Sequence, residues 1–199
     1  MIKFACFSPH PPIILPANGS PEDRSQVKNT IEALENLGRK LKELKPDKII
    51  ISSPHPDWGF EVPLYFLANN FGGRIEKILT GLEPPRFYFE KGTKFPMPNS
   101  KIALIASGDL SHCLKEDGPY GFHPQGPKFD KNLIESLKKK DVANFLKLDE
   151  IYPEAGECGL RSFSFVLGIL EAAKINWQPE ILSYEAPFGV GYLVANFKL

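Results

Sequence analysis

Along this chain, short continuous apolar runs alternate with stretches in which apolar residues recur every three or four positions. That is the signature of buried strands alternating with amphipathic helices. Residues 2–7 (IKFACF), 48–53 (KIIISS) and 101–106 (KIALIA) are runs of the first kind. Their apolar character, unbroken by a polar face, predicts strands covered on both sides, as in a parallel sheet. Val27, Ile31, Leu34, Leu37, Leu41 and Leu44 keep spacings of four and three with charges between them, and predict a helix that ends before Pro46. Further helices are expected over 62–71, around Phe129, Leu133, Ile134 and Leu137, over 141–148, and from Cys158 to Ala173 with Leu160, Phe163, Leu167 and Leu170 inward. Residues 179–184 and 190–197 (VGYLVANF) predict two closing strands, while the stretch from Gly72 to Asn99, interrupted by prolines and glycines, shows no readable period. The alternation predicts one α/β domain over residues 1–199, with a mostly parallel or mixed central sheet and helices on both faces.

Charge narrows the function classes. Lys plus Arg and Asp plus Glu both number 24, so the formal net charge is zero, and the longest basic block is Lys138–Lys140. Neither feature provides the electrostatic footprint of a nucleic-acid binder. The first residues lack a basic segment followed by a long apolar core, and no apolar run approaches the roughly 18 residues of a membrane span. The expectation is a soluble, cytoplasmic protein. Cys6, Cys113 and Cys158 are an odd number without a Cys-x-x-Cys pair, which suits a reducing compartment and argues against a structural zinc knuckle.

The candidate chemistry begins with the four histidines. His10 and His55 share one setting, Ser-Pro-His-Pro, each directly after a predicted strand, and Asp109 and His112 in GDLSH follow a third. Ligands of open α/β sheets bind at the carboxyl ends of the strands, where loops vary over a rigid support. If the three strands are parallel neighbours, His10, His55 and His112 converge at one sheet edge, and the prolines restrict the loops that carry them. Two neutral imidazoles call for a third metal ligand, and EAGECGLRSF at 154–163 offers Glu154, Glu157 and Cys158. Glu157, at the start of a predicted helix where the dipole favours an anion, is the carboxylate that fits first. Two histidines and one carboxylate form the set used by non-haem Fe(II) oxygenases, with open positions on the ion. His112 then stands apart as a base. Trp58, Phe60 and Tyr65, downstream of His55, are candidate pocket walls, as is His123; Arg161 is a candidate partner for an acidic group or for Glu154 or Glu157. Cys6 and Cys113 read as small buried hydrophobes.

The order strand-His, strand-His, GDLSH, YGFHPQGPKFD, ECGLRSF, VGYLVANF resembles the catalytic B-subunit superfamily of class III extradiol ring-cleavage dioxygenases. Within it the motifs look closest to the dioxygenase-like domain of AmmeMemoRadiSam system proteins and to Memo proteins. The resemblance implies that His10 and His55 hold iron, that Glu157 is the carboxylate ligand, and that His112, with Asp109 beside it, moves protons. It implies an oxidoreductase that opens a catecholic or aminophenolic ring with dioxygen at Fe(II). Asp109 and Cys158 also match the Memo pattern, which implies instead a metal-binding protein with a redox or docking role, in which Cys158 as ligand would favour copper or zinc. A zinc hydrolase is chemically allowed but lacks a His-Glu-x-x-His helix. The partners implied are a small aromatic substrate and dioxygen, with a second copy or a partner protein of the same system as further candidates, and neither nucleic acid nor membrane.

Overall fold

In the computed structural model of the chain, which describes residues 1–199, each of the three apolar runs forms a strand because both of its faces are covered. β1 (Ile2–Ser8), β2 (Lys48–Ser53), β3 (Arg74–Leu79) and β4 (Ile102–Ser107) are parallel; β6 (Tyr192–Lys198) pairs antiparallel with both β1 and β5 (Gln178–Glu185), in the order β3-β2-β4-β1-β6-β5. The expected mixed α/β sheet is therefore present, and VGYLVANF enters it beside β1. Side chains alternate across the sheet as the strand period requires. Phe4, Cys6, Ile49, Ile51, Ala103 and Ile105 enter one core, whereas Ala5, Phe7, Ile50, Leu104 and Ala106 enter the other.

The first core is closed by α2 (Lys28–Leu44), through Ile31, Leu34, Leu37 and Leu41, and by α3 (Trp58–Leu67). α2 ends where Lys45 turns left-handed (φ 47°) ahead of Pro46. It is preceded by a short α1 (Pro21–Gln26), started by a reciprocal cap between Ser20 and Asp23. The second core is closed by α4 (Pro85–Thr93), α5 (Gln125–Lys139), the single turns α6 (Val142–Phe145) and α7 (Leu148–Ile151), and α8 (Leu160–Ala172).

Two expectations shift. The helix expected over 62–71 starts earlier, at Trp58, because Phe60, Pro63 and Leu67 form its buried side. The stretch without a period holds β3, an edge strand that mixes charged and apolar residues without regular alternation, and α4. α4 packs closely on α8: a Cβ at Gly92 or Gly168 would lie 2.1 Å from a carbonyl oxygen of the other helix. No helix is long and apolar enough to cross a membrane.

Candidate metal centre

Because β2, β4 and β1 are neighbours in that order, the loops leaving their carboxyl ends meet, and they carry His55, Asp109 with His112, and His10. His10 is buried. Its backbone N–H donates to Asp109 Oδ1 (2.9 Å) and its ring Nδ1 lies 2.9 Å from Ser107 Oγ. The Ser107 hydroxyl donates its own proton to the Gly59 carbonyl. That carbonyl is free because Pro63, four residues on within α3, has no N–H with which to close the helical bond. Ser107 Oγ is thus an acceptor toward His10, so Nδ1 carries the ring proton and Nε2 presents a lone pair. Nε2 faces Cys158 Sγ at 3.4 Å and Asp109 Oδ2 at 3.8 Å. The ring of His55 stands edge-on to that of His10, 5.1 Å between centroids, and packs against Trp58 at 5.0 Å.

The loop after β4 is tied down from three directions. Gly108 touches Gly159 so closely that a Cβ would lie 2.2 Å from the other Cα. That contact joins the loop to the start of α8: Asp109 accepts the N–H groups of Cys158 and Gly159 on its carbonyl, and its own N–H donates to Cys158 Sγ (3.3 Å). Ser111 N–H donates to buried Asp130 (2.8 Å), whose other oxygen accepts from Tyr184 OH (2.6 Å). The neighbouring His112 N–H donates to the Gly156 carbonyl. Its ring faces Tyr120, and its Nε2 is buried without a hydrogen-bond partner.

Two sets of ligand atoms result, each within 4.8 Å of one another: His10, His55 and Cys158, and Asp109, His112 and Cys158. Burial, reinforced by the neighbouring His55, depresses His10 to about 3, so that it is neutral at physiological pH. His112 is also lowered by burial, against the opposing pull of Asp109. Burial raises Asp109 to about 6, and pushes the Cys158 thiol well above its ordinary value with Asp109 adding to the shift.

His10, His55, Trp58, Asp109, His112 and Cys158 line one cavity of about 410 Å³. A second cavity of about 540 Å³ shares His55 and Cys158 and continues to Asp149, Glu157 and Arg161. The structure does not bring Glu157 to the histidines. Its Oε2 accepts the Leu160 N–H at the start of α8 (2.7 Å) and its Oε1 pairs with Arg161 (3.0 Å), because a carboxylate there relieves unpaired helix N–H groups. Cys158, one residue on, points inward instead. Glu154 is exposed, Cys6 is core, and half-buried His123 receives the Gln125 N–H outside the first cavity. Sequence reasoning missed Ser107, Tyr120 and Tyr192. The first of these was signalled by its place in SGDLSH and by a proline four residues after a glycine in a helix.

A family model described as the catalytic LigB subunit of aromatic ring-opening dioxygenase matches residues 4–58 and 56–195. The chain belongs to this family. Protein CA_C1420 of Clostridium acetobutylicum is 31% identical over an alignment covering 96% of this chain and 56% of the relative, so the chain spans little more than half of that protein. The crystal structure of the uncharacterized protein JW3007 from Escherichia coli K12 superposes with a TM-score of 0.65 at 15% identity, covering 97% of this chain and 98% of that one, which shows a shared fold. Ring-opening dioxygenases of this family use a metal, and the residues present fit one. A lone pair on His10 Nε2 and a thiol receiving an amide N–H, gathered with His55 within 4.8 Å, are electron-pair donors that a cation would satisfy.

Proposed function

We propose that this chain is a metal-dependent oxidoreductase that opens a catecholic or aminophenolic ring with dioxygen, and that His10, His55 and Cys158 hold its iron(II). The observation that carries the reading is the convergence of those three donor atoms within 4.8 Å at the carboxyl ends of adjacent parallel strands, in a chain of the ring-opening dioxygenase family. Glu157, committed to Leu160 and Arg161, yields the third position to Cys158.

Held by His10, His55 and Cys158, the ion would supply Lewis acidity and redox capacity. The chain supplies the rest. Neutral His112, its Nε2 unpartnered, accepts a ring hydroxyl proton and returns it later. Asp109 orients the site through the His10 N–H and offers a carboxylate titrating near the working pH. Trp58 and Tyr120 flank the space beside the two histidines as apolar walls.

The test is anaerobic loading with Fe(II), then air and a panel of catechols and aminophenols, following the absorbance of ring-opened product. Cys158→Ala is expected to lose the metal. His112→Phe is expected to keep it while turnover falls about 10²–10⁴-fold, the contribution of a positioned acid-base group. No turnover by demonstrably loaded wild-type protein overturns the reading.

One observation favours a second reading. A sulfur in the ligand set biases a site toward softer ions, which suits a Memo-like metal-binding protein without ring cleavage. Copper or zinc in protein purified without added metal, together with absent turnover, would select it.

A further inference from the structure

The charges around the two cavities are lopsided. The first, with His10, His55 and His112, holds the carboxylate of Asp109 and neither lysine nor arginine. The second holds the carboxylates of Asp149 and Glu157 and one cation, Arg161. That guanidinium is already engaged on all three nitrogens: Nη1 with Glu157 Oε1 (3.0 Å), Nη2 near Asp149 Oδ2 (3.7 Å), and Nε donating to the Glu83 carbonyl (2.9 Å). A carboxylate entering from either side would meet acidic groups and would have to break existing pairs to reach Arg161. Like charges brought together in a partly desolvated site are strongly unfavourable.

From this inventory we infer that the substrate of the centre is an aromatic whose ring substituents are neutral or cationic, and that the site discriminates against aromatic acids. The inference rests on the ring-opening reading and deepens it. A bound dication pulls on a substituent's carboxylate and pushes on its ammonium, but the Cys158 thiolate and the Asp109 carboxylate beside it offset its charge within the site. What differs is the substituent, and Asp149 and Glu157 are the charges left to greet it. An ammonium group there gains Coulomb energy from two carboxylates offset by one guanidinium, whereas a carboxylate loses it.

Three probes share the chelating pair and differ in charge: catechol, protocatechuate (its carboxylate) and dopamine (its aminoethyl derivative). In anaerobic titration of the Fe(II)-loaded protein at neutral pH, dopamine is expected to bind at least about tenfold tighter than protocatechuate, the minimum that an unfavourable like-charge contact should produce. Asp149→Asn is expected to narrow that ratio about two- to fivefold, the effect of one partly exposed charge. Protocatechuate binding as tightly as dopamine, or a ratio unmoved by Asp149→Asn, overturns the inference. Binding of the probes without ring opening overturns only the proposed reaction, and the ranking still decides the substrate class. Failure of all three to bind loaded protein overturns both.

Discussion

At Cys158 the chemistry turns on a single proton. Burial and the adjacent Asp109 hold this thiol in its protonated form at neutral pH, although the Asp109 N–H is already aimed at the sulfur. A cation that takes Sγ as a ligand must expel that proton, because the thiolate is the ligand. His10, titrating near 3, is already neutral there and adds no proton competition. Metal affinity is therefore expected to rise about tenfold per pH unit across neutrality, one proton leaving per ion bound. Competition titrations with a chelator at a series of pH values, with proton release recorded in weak buffer, check this. Below about 6, where Asp109 also becomes protonated, the dependence should steepen if its carboxylate adjoins the ion. A flat profile in the wild type, matching that of Cys158→Ser, would remove the sulfur from the ligand set.

Just ahead of helix α8, two neighbouring residues divide the labour. Glu157 satisfies the Leu160 N–H and holds Arg161, while Cys158 faces the histidines. Glu157→Gln keeps an acceptor for the helix but gives up the ion pair of a carboxylate that is only 7% exposed. It is expected to cost about 1.5–3 kcal/mol in urea denaturation, the range of a hydrogen bond to a charged group. Metal affinity should stay within a few-fold. A loss of about 10- to 100-fold in affinity, the size of effect reserved for ligands and their immediate supports, would place Glu157 at the ion instead. α3 shows the same economy: Pro63, a helix breaker by propensity, leaves the Gly59 carbonyl to orient Ser107 and through it the His10 ring.

For the molecule as a whole, site and core are continuous through β1. Phe7, fully buried three residues before His10, stacks on Phe163 of α8 (4.3 Å between centroids) and meets Phe197 of β6 edge-on (4.9 Å). It thereby joins the strand that delivers His10, the helix that follows Cys158, and the strand that lies antiparallel beside β1. Phe7→Ala is expected to destabilise the protein by about 3–5 kcal/mol, the cost of a large buried ring replaced by a cavity, measured by urea or thermal unfolding of the metal-free protein. If the coupling runs as described, metal should stabilise the variant less than the wild type, since an ion held only by the folded chain stabilises it by mass action and a weakened site binds it less tightly.

Much of this was legible in the sequence alone. The three apolar runs could only be strands covered on both faces, and a histidine or GDLSH directly after each put the chemistry at the strand ends. Local periodicity and local order along the chain suffice for such conclusions. The edge strand β3 was not legible, because a strand covered on one side need not be apolar, and neither was the start of α3, where burial outweighed the glycine and proline within it. The choice between Glu157 and Cys158 lay beyond the sequence for a different reason. The two are adjacent, both have suitable chemistry, and a helix start turns neighbouring side chains in different directions. Only the close contact of Gly108 with Gly159, residues 51 positions apart in the chain, sets which of them faces the histidines. The tautomer of His10 likewise depends on a serine from β4 and a carbonyl from α3, and such side-chain networks exist only once distant segments have packed.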